Sequence, residues 1–324
     1  MRKSNLNLIQ LKNRSIDEST VCISVIVNVF NHEKYLTEAL DSILSQKVNF
    51  SVEILVHDDC SIDKSAKIIK EYEKKYPTII KPIFEMENQF SKGIEIDAAY
   101  NYPRVRGKYV AMLEGDDKWI DDMKLFKQFM YLEKHKNVSA CIAKTVRWNM
   151  RDNSCGFYGL ANGKRNKLYS LKDLIKGKDF SVSSLLARRE FFVPPFPDFI
   201  NFFAGFTDIQ LGFYFALKNK IYYNHKPMSL YRQYSSPTSF TSSFSALPEN
   251  RKLKIYENRI TVLELLRKEC PEKYRNVLEK RIKQEKFNLL SIKNDLDALK
   301  SDEYIHLYKR KMRHKRIKQL LRIK

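Results

Sequence analysis

Glu114, Asp116 and Asp117 place three carboxylates within four positions, interrupted only by Gly115. So much negative charge in one turn needs a counter-ion, which points to a divalent cation shared with other oxygen ligands. A second acidic turn, His57-Asp58-Asp59-Cys60-Ser61-Ile62-Asp63, carries three more carboxylates. Asp208 stands at the start of a helical stretch, where its charge either caps the helix or faces a cleft. The plainer alternative for each turn is a solvated loop after a core element.

These groups can act together only if the backbone brings them to one place. Tyr109-Val110-Ala111-Met112-Leu113 is an unbroken apolar run and predicts a strand buried on both faces, ending at the acid cluster. In an open α/β sheet, ligands gather outside the carboxyl ends of such strands. Upstream, residues 22–29 predict a first buried strand. Asn31 is the expected N-cap of a helix with Glu33 in its first turn and Leu36, Leu40, Ile43 and Leu44 at helical spacing. A second strand over 52–56 runs into the other acidic turn and then a helix over 64–75, which Tyr76-Pro77 closes. A third strand over 79–84, a polar loop over 85–93, a short helix ending near Pro103 and a helix over 121–135 complete the pattern. This alternation implies a parallel sheet with right-handed crossovers. If the two acid-ended strands are neighbours, both clusters share one sheet edge.

Further along, a strand over 138–148, a loop or hairpin over 151–167, a short helix over 171–175 and a strand over 183–187 are expected. Residues 191–206 are too rich in proline for regular structure, and their aromatics either line a site for a flat ligand or pack the core under a loop. A helix over 209–217 opens at Thr207-Asp208. From Pro248 the character turns helical, with Pro271 beginning a second helix and Ser301-Asp302-Glu303 a third.

The 324 residues exceed the usual single domain and suggest a large α/β unit with an appendage. The organisation expected is a polar lead-in over 1–20, a main domain over 21–245 and a helical basic extension over 246–324. Five scattered cysteines with no CxxC pair fit reduced thiols, neither a disulfide framework nor a zinc site. The lead-in lacks an apolar core of signal-peptide length, and the apolar runs are strand-sized, so a cytoplasmic protein is expected. A formal charge of +21 points to anionic partners, and the basic density peaks over 309–324. There Lys and Arg alternate with Met312, Ile317, Leu320, Leu321 and Ile323, a helix suited to an anionic membrane surface at the inner face. Homodimer formation is the other use open to these helices.

Val25 to Leu36, Ile54 to Asp63 and Leu113-Glu114-Gly115-Asp116-Asp117-Lys118-Trp119, in that order and spacing, resemble the successive signatures of family 2 glycosyltransferases with the GT-A fold. The resemblance covers about 21–235 and leaves out the C-terminal helices. It implies a Rossmann-like, mixed but mainly parallel sheet flanked by helices. It also implies inverting transfer of a sugar from a nucleotide-diphosphate donor, most often a UDP-sugar, to a hydroxyl of a glycan or lipid-linked acceptor, as in cell-surface polysaccharide synthesis. By resemblance, Val29, Phe30, Asn31 and Asp58 hold the nucleoside, with Glu33, Asp59 and Asn88 on the same side. Glu114-Gly115-Asp116 stands at the metal-binding motif, with Glu114 toward the ribose and Asp116 and Asp117 toward Mn2+ or Mg2+. Asp208 falls at the catalytic base. Trp119, Ser184 and Arg232 are assigned to the acceptor or phosphate side. Three departures are plain: Asn28 replaces the first strand's usual proline, Tyr234 stands where a histidine is common, and Ala-Arg-Asn before the central strand is missing. The diphosphate contact of that arginine is transferred to Lys92.

The chemistry asks for these residue types independently. A nucleoside diphosphate leaves as a dianion that a hard cation stabilises, and a sugar hydroxyl needs a carboxylate to take its proton. Two other classes compete. A nucleic-acid-binding module would interleave basic and aromatic residues on one face, whereas here they lie in separate stretches, so no nucleic acid is expected. A sugar nucleotidyltransferase would carry a glycine-rich loop after the first strand, and residues 28–34 contain no glycine.

Overall fold

The computed structural model describes residues 8–13, 20–159, 164–202, 207–236, 242 and 249–322. Most of the lead-in, Phe206 ahead of Asp208, and the last two residues of the basic tail lie outside the described residues. The chain divides into two compact units, Met1–Ser245 and Ala246–Lys324.

In the first unit the strands are β1 (Ile9–Gln10), β2 (Val21–Val29), β3 (Lys47–Val48), β4 (Ser51–Asp58), β5 (Ile80–Phe84), β6 (Tyr109–Glu114), β7 (Lys118–Trp119), β8 (Val138–Asn149), β9 (Ser154–Tyr158), β10 (Lys167–Tyr169), β11 (Leu186–Arg188) and β12 (Lys220–Gln233). The helices are α1 (Leu36–Leu44), α2 (Ser65–Lys75), α3 (Lys124–Lys134), α4 (Leu171–Ile175), α5 (Asp198–Asn201) and α6 (Thr207–Lys218). The main sheet runs β10-β12-β8-β11-β6-β2-β4-β5, with β7 paired to β12 and β9 to β8. Strands β5, β4, β2 and β6 are mutually parallel, whereas β11 is antiparallel to both β6 and β8. The sheet is therefore mixed and mainly parallel, as the resemblance implies, whereas the alternation alone gave only its parallel part. The two acid-ended strands, β4 and β6, are not neighbours. They flank β2, and chain order reverses between β2 and β6, which is where open α/β sheets bind ligands.

One core cluster sits against one face of this sheet. Val25 and Val27 of β2, Ile54 and Val56 of β4, and Ala111 and Leu113 of β6 pack with Leu36, Leu40 and Ile43 of α1, Ile69 of α2 and Leu125 and Leu132 of α3. Each such Val, Leu or Ile side chain, fully buried, stabilises the fold by roughly 1.5–3 kcal/mol before entropy is charged against it. At Gly107 an added Cβ would lie 2.5 Å from the Ser24 nitrogen, so only glycine lets the chain enter β6 so close to β2.

Several expectations are corrected. Asn31 does not cap α1, which begins at Leu36; its backbone turns left-handed (φ 57°) to reach the next loop instead. The predicted strand over 183–187 splits into a 3-10 turn, Val182–Ser184, and the short β11. The long strand β12 reaches across a stretch to which periodicity assigned no element. The aromatics of 191–206 that can be described pack inward: Phe191, Phe192 and Phe199 are buried, and Phe191 and Phe192 meet Phe215 edge-on or tilted. Pro271 sits just before its helix, and the last helix starts at Ile305 after a short extra helix.

The second unit comprises α7 (Glu249–Glu269), α8 (Glu272–Ile292), α9 (Leu296–Lys300) and α10 (Ile305–Arg322). Leu263, Leu266, Leu278 and Ile282 are buried, and Phe287, Leu299 and Tyr304 form a small cluster. Lys286–Glu264 ties α8 to α7 at 2.9 Å, and Lys293, just past the end of α8, pairs with Glu257 of α7 at 3.6 Å. Such exposed pairs contribute at most about 1 kcal/mol each.

Candidate active site

The strand pleat sorts the candidate residues at the carboxyl edge. Val29 of β2 lies beside Asp58 of β4 on one face, while Asn28 lies between His57 and Glu114 on the other. Asp58 and Glu114 thus end parallel strands at the same edge but project to opposite sides of the sheet.

The turn after β4 is tied to the turn after β2 by charge-assisted and backbone bonds. Asp58 accepts from the Ser61 hydroxyl at 2.5 Å. Ser61 Oγ accepts the Asn31 N–H at 2.9 Å, and Asn31 Oδ1 accepts the Ile62 N–H at 2.9 Å. Asp63 accepts from the backbone of Glu33 and Ser65, while Glu33 returns the bond by accepting the Lys64 N–H at 2.8 Å. Burial pushes Asp63 upward, but these donors outweigh it and hold the carboxyl below its ordinary value. Asp58 goes the other way, raised chiefly by burial, with Ser61 only moderating the shift. Asp59 binds the loop after β5, accepting from the Gln89 N–H at 2.7 Å and the Phe90 N–H at 3.1 Å. Asn88 donates to the Asp59 carbonyl, and Lys92 pairs with Glu87. Phe30, directly after β2, is half-buried.

The turn after β6 is built around Gly115. Its N–H donates to the Asn28 carbonyl at 2.9 Å, and an added Cβ would lie 2.7 Å from His32 Nδ1. Glycine therefore lets the histidine ring close over the turn. Asp116 accepts from the Ser235 hydroxyl at 2.5 Å, and its other neighbour is His32 Nε2 at 3.9 Å. Asp117 faces inward: one oxygen accepts from Ser183 Oγ at 2.6 Å, the other from the Arg232 N–H at 3.0 Å. The Arg232 guanidinium donates to the Asp116 carbonyl at 2.7 Å and to Glu38 at 2.8 Å, and lies 4.6 Å over the Tyr35 ring. This buried cation clamps the acidic turn through its backbone. Burial, then the neighbouring acids, raise Glu114 well above the ordinary carboxylate range, and burial and Asp116 do the same to Asp117.

Other predicted residues are engaged inside the fold. Trp119 is buried, donates Nε1–H to the Ser183 carbonyl at 2.7 Å and carries the Lys124 ammonium 4.1 Å over its ring. Ser184 donates to the Ser181 carbonyl at 2.8 Å. Asp208 lies in the first turn of α6, its Oδ1 accepting the Ile209 N–H at 2.8 Å. Helix α6 connects through Asn219 alone to β12 and packs on β8 and β12, so it runs antiparallel to them. Its C-terminal part meets the start of β8, where Ser139 donates to the Phe215 carbonyl. The first turn of α6 is therefore directed to the carboxyl edge.

Sequence reasoning passed over several groups at this edge. Asp97 is buried and accepts from Asn28 and Asn101 at 3.1 and 2.8 Å, supporting the face that carries Glu114. Ser235 and His32 meet Asp116 from the end of β12 and from the loop after β2. Nothing local in the sequence marks them, since their role exists only through contacts across more than eighty residues. Among the described residues no three of His, Cys, Asp and Glu converge as a closed metal cage. A carboxylate with few protein partners fits a cation that takes its remaining ligands from phosphate and water, as Mg2+ and Mn2+ do.

Comparison with known proteins extends this picture. An uncharacterized protein of Mycobacterium tuberculosis is 37% identical over 167 residues, 52% of this chain and 44% of that protein. The chain thus spans less than half the length of the curated relatives it matches first. Among solved structures, S. aureus TarS 1–349 in complex with UDP-GlcNAc superposes with a TM-score of 0.61 at 17% identity, over 84% of this chain and 73% of that one. The mannosyltransferase PcManGT of Pyrobaculum calidifontis, in complex with GDP-Man and Mn2+, gives 0.53 at 13% identity over 96% and 83%. At such identities the likeness is one of fold. The family model described as glycosyl transferase family 2 matches residues 24–192, from the first buried strand through β11. That span takes in both acidic turns and more than half of the sequence, and by it the chain belongs to glycosyl transferase family 2.

Proposed function

We propose that this protein transfers a sugar, with inversion, from a nucleotide-diphosphate donor to a hydroxyl of a glycan or lipid-linked acceptor. The observation that carries the reading is the assembly of Asp58, Glu114 and Asp116 at the carboxyl edge where strand order reverses. Asp58 accepts a hydrogen bond from the base, with Val29, Phe30 and Asn31 shaping the nucleoside side. Glu114 faces the ribose. Asp116 would hold Mn2+ or Mg2+, and the ion supplies stabilisation of the departing diphosphate. Asp117 and Arg232 keep the turn that carries Asp116 in one conformation, since a misplaced ligand loses more than it contributes. Asp208 takes the acceptor proton as the glycosidic bond forms. UDP is the nucleotide favoured, in line with the UDP-GlcNAc in TarS. The Mn2+ in PcManGT supports the metal.

Helix α10 carries eight Lys and Arg and no acid over Ile305–Arg322, which supports attachment to an anionic membrane surface near a lipid-linked acceptor. No helix among the described residues is long and apolar enough to cross a membrane.

Asp208→Asn tests the chemistry. Donor binding, followed by calorimetry with UDP-GlcNAc and Mn2+, is expected to stay within about twofold, while transfer falls by at least about 100-fold, a typical contribution of a general base. Near-normal turnover by the variant removes Asp208 from the mechanism.

A further inference from the structure

His32 is the neighbour of Asp116 that the mechanism above leaves without a task. Its Nε2 stands 3.9 Å from Asp116 Oδ2, too long for a hydrogen bond. Both side chains are about one-eighth exposed, so each keeps an edge within reach of solvent. The other ring nitrogen, Nδ1, is buried with no hydrogen-bond partner. The ring thus faces the carboxylate without a hydrogen bond to it, which leaves Nε2 available to another partner.

Its position is nonetheless well defined. The His32 backbone N–H is held by Ser65 Oγ at 2.9 Å, and Gly115 leaves room for the ring. Across the gap, Ser235 fixes the Asp116 carboxylate and Arg232 fixes its carbonyl. Two cis ligand atoms on one octahedral Mn2+ or Mg2+ ion, each at about 2.1 Å, lie roughly 3.0 Å apart. The 3.9 Å separation is wider than that, so a movement of about 1 Å brings the pair onto one ion.

We propose that His32 Nε2 and Asp116 are the two protein ligands of the donor-bound cation, one from the loop after β2 and one from the turn after β6. The inference rests on the donor reading above and adds a nitrogen ligand to it. It has a consequence for which ion is used. Imidazole is a poor partner for the hard Mg2+ ion, whereas Mn2+ accepts a mixed nitrogen and oxygen set. His32 then adds to the site's preference for Mn2+ over Mg2+.

The test is electron spin-echo spectroscopy of Mn2+ with the full chain and UDP, with GDP in a parallel arm. Directly bound histidine nitrogen is expected to modulate the echo, to change when the protein carries 15N-histidine, and to vanish in His32→Gln. In the same variant the tightening of nucleotide binding by Mn2+ over Mg2+, read by calorimetry, is expected to shrink at least about tenfold. Nucleotide binding in EDTA should be unchanged, which also reports that the variant is folded. Mn2+-dependent nucleotide binding by the wild type with no histidine modulation overturns the role of His32 and leaves the donor reading standing. Nucleotide binding that Mn2+ does not alter at all overturns both.

Discussion

The turn after β4 and the turn after β6 each carry three carboxylates, yet their oxygens meet different partners. In the first, Asp59 and Asp63 accept backbone N–H groups from neighbouring loops, and Asp58 accepts a serine hydroxyl. Asp59 and Asp63 thereby fasten neighbouring loops to one another. In the second, only Asp117 is fully taken up inside the fold, while Asp116 faces a histidine and a gap. Its neighbours Glu114 and Asp117 are raised by burial and by repulsion from adjacent acids, a cost that a cation bound there would relieve. Acid clusters of equal charge can therefore serve as scaffold or as ligand, depending on how many donors the fold supplies.

Substitution at each turn separates the two uses. Asp116→Ala is expected to abolish the enhancement of UDP binding by Mn2+ and to lower turnover by at least about 100-fold, several kcal/mol of lost charge stabilisation. Its unfolding midpoint in urea should move little.

A smaller effect is expected beside the scaffold turn. His57, fully buried next to Asp58, is pushed down to about 4, chiefly by burial. The unfolded chain binds a proton there below pH 6.5 that the folded chain refuses until about pH 4. Stability from this group is therefore present above pH 6.5 and lost as pH falls toward 4, by at most about 3 kcal/mol. Urea denaturation of His57→Phe across that range should show a flatter pH dependence than the wild type; parallel curves would mean that His57 is not the titrating group.

Smallest is the effect of Asp59→Ala, which removes an acceptor from two backbone donors and should cost about 2 kcal/mol in urea. The Mn2+ dependence of UDP binding should survive. If Asp59→Ala instead removed the metal effect, the division between scaffold and ligand would be wrong.

Much of this arrangement is written in local patterns. The buried strands β2, β4 and β6 follow from short apolar runs, and the acidic ends of β4 and β6 from the residues that stop them. Helices α1, α2, α3 and α6 follow from apolar spacing. The pattern says little about β11 and β12. The first is three residues long, and the second is interrupted by Asn224, His225, Lys226 and Pro227, where its register with β8 shifts. Strand order is equally silent: no local pattern places β2 between the two acid-ended strands.

By itself the sequence determined which elements form and which carboxylates end them, because side-chain period and turn chemistry are local. Only the tertiary structure decided which carboxylates are spent on backbone donors and which face a gap. That choice depends on His32, Ser183, Arg232 and Ser235, brought to the acidic turn from far along the chain by the sheet's register. Hydrogen-bond partners at such separation leave no period in the sequence, so the difference between a brace and a ligand appears only once the strands are paired.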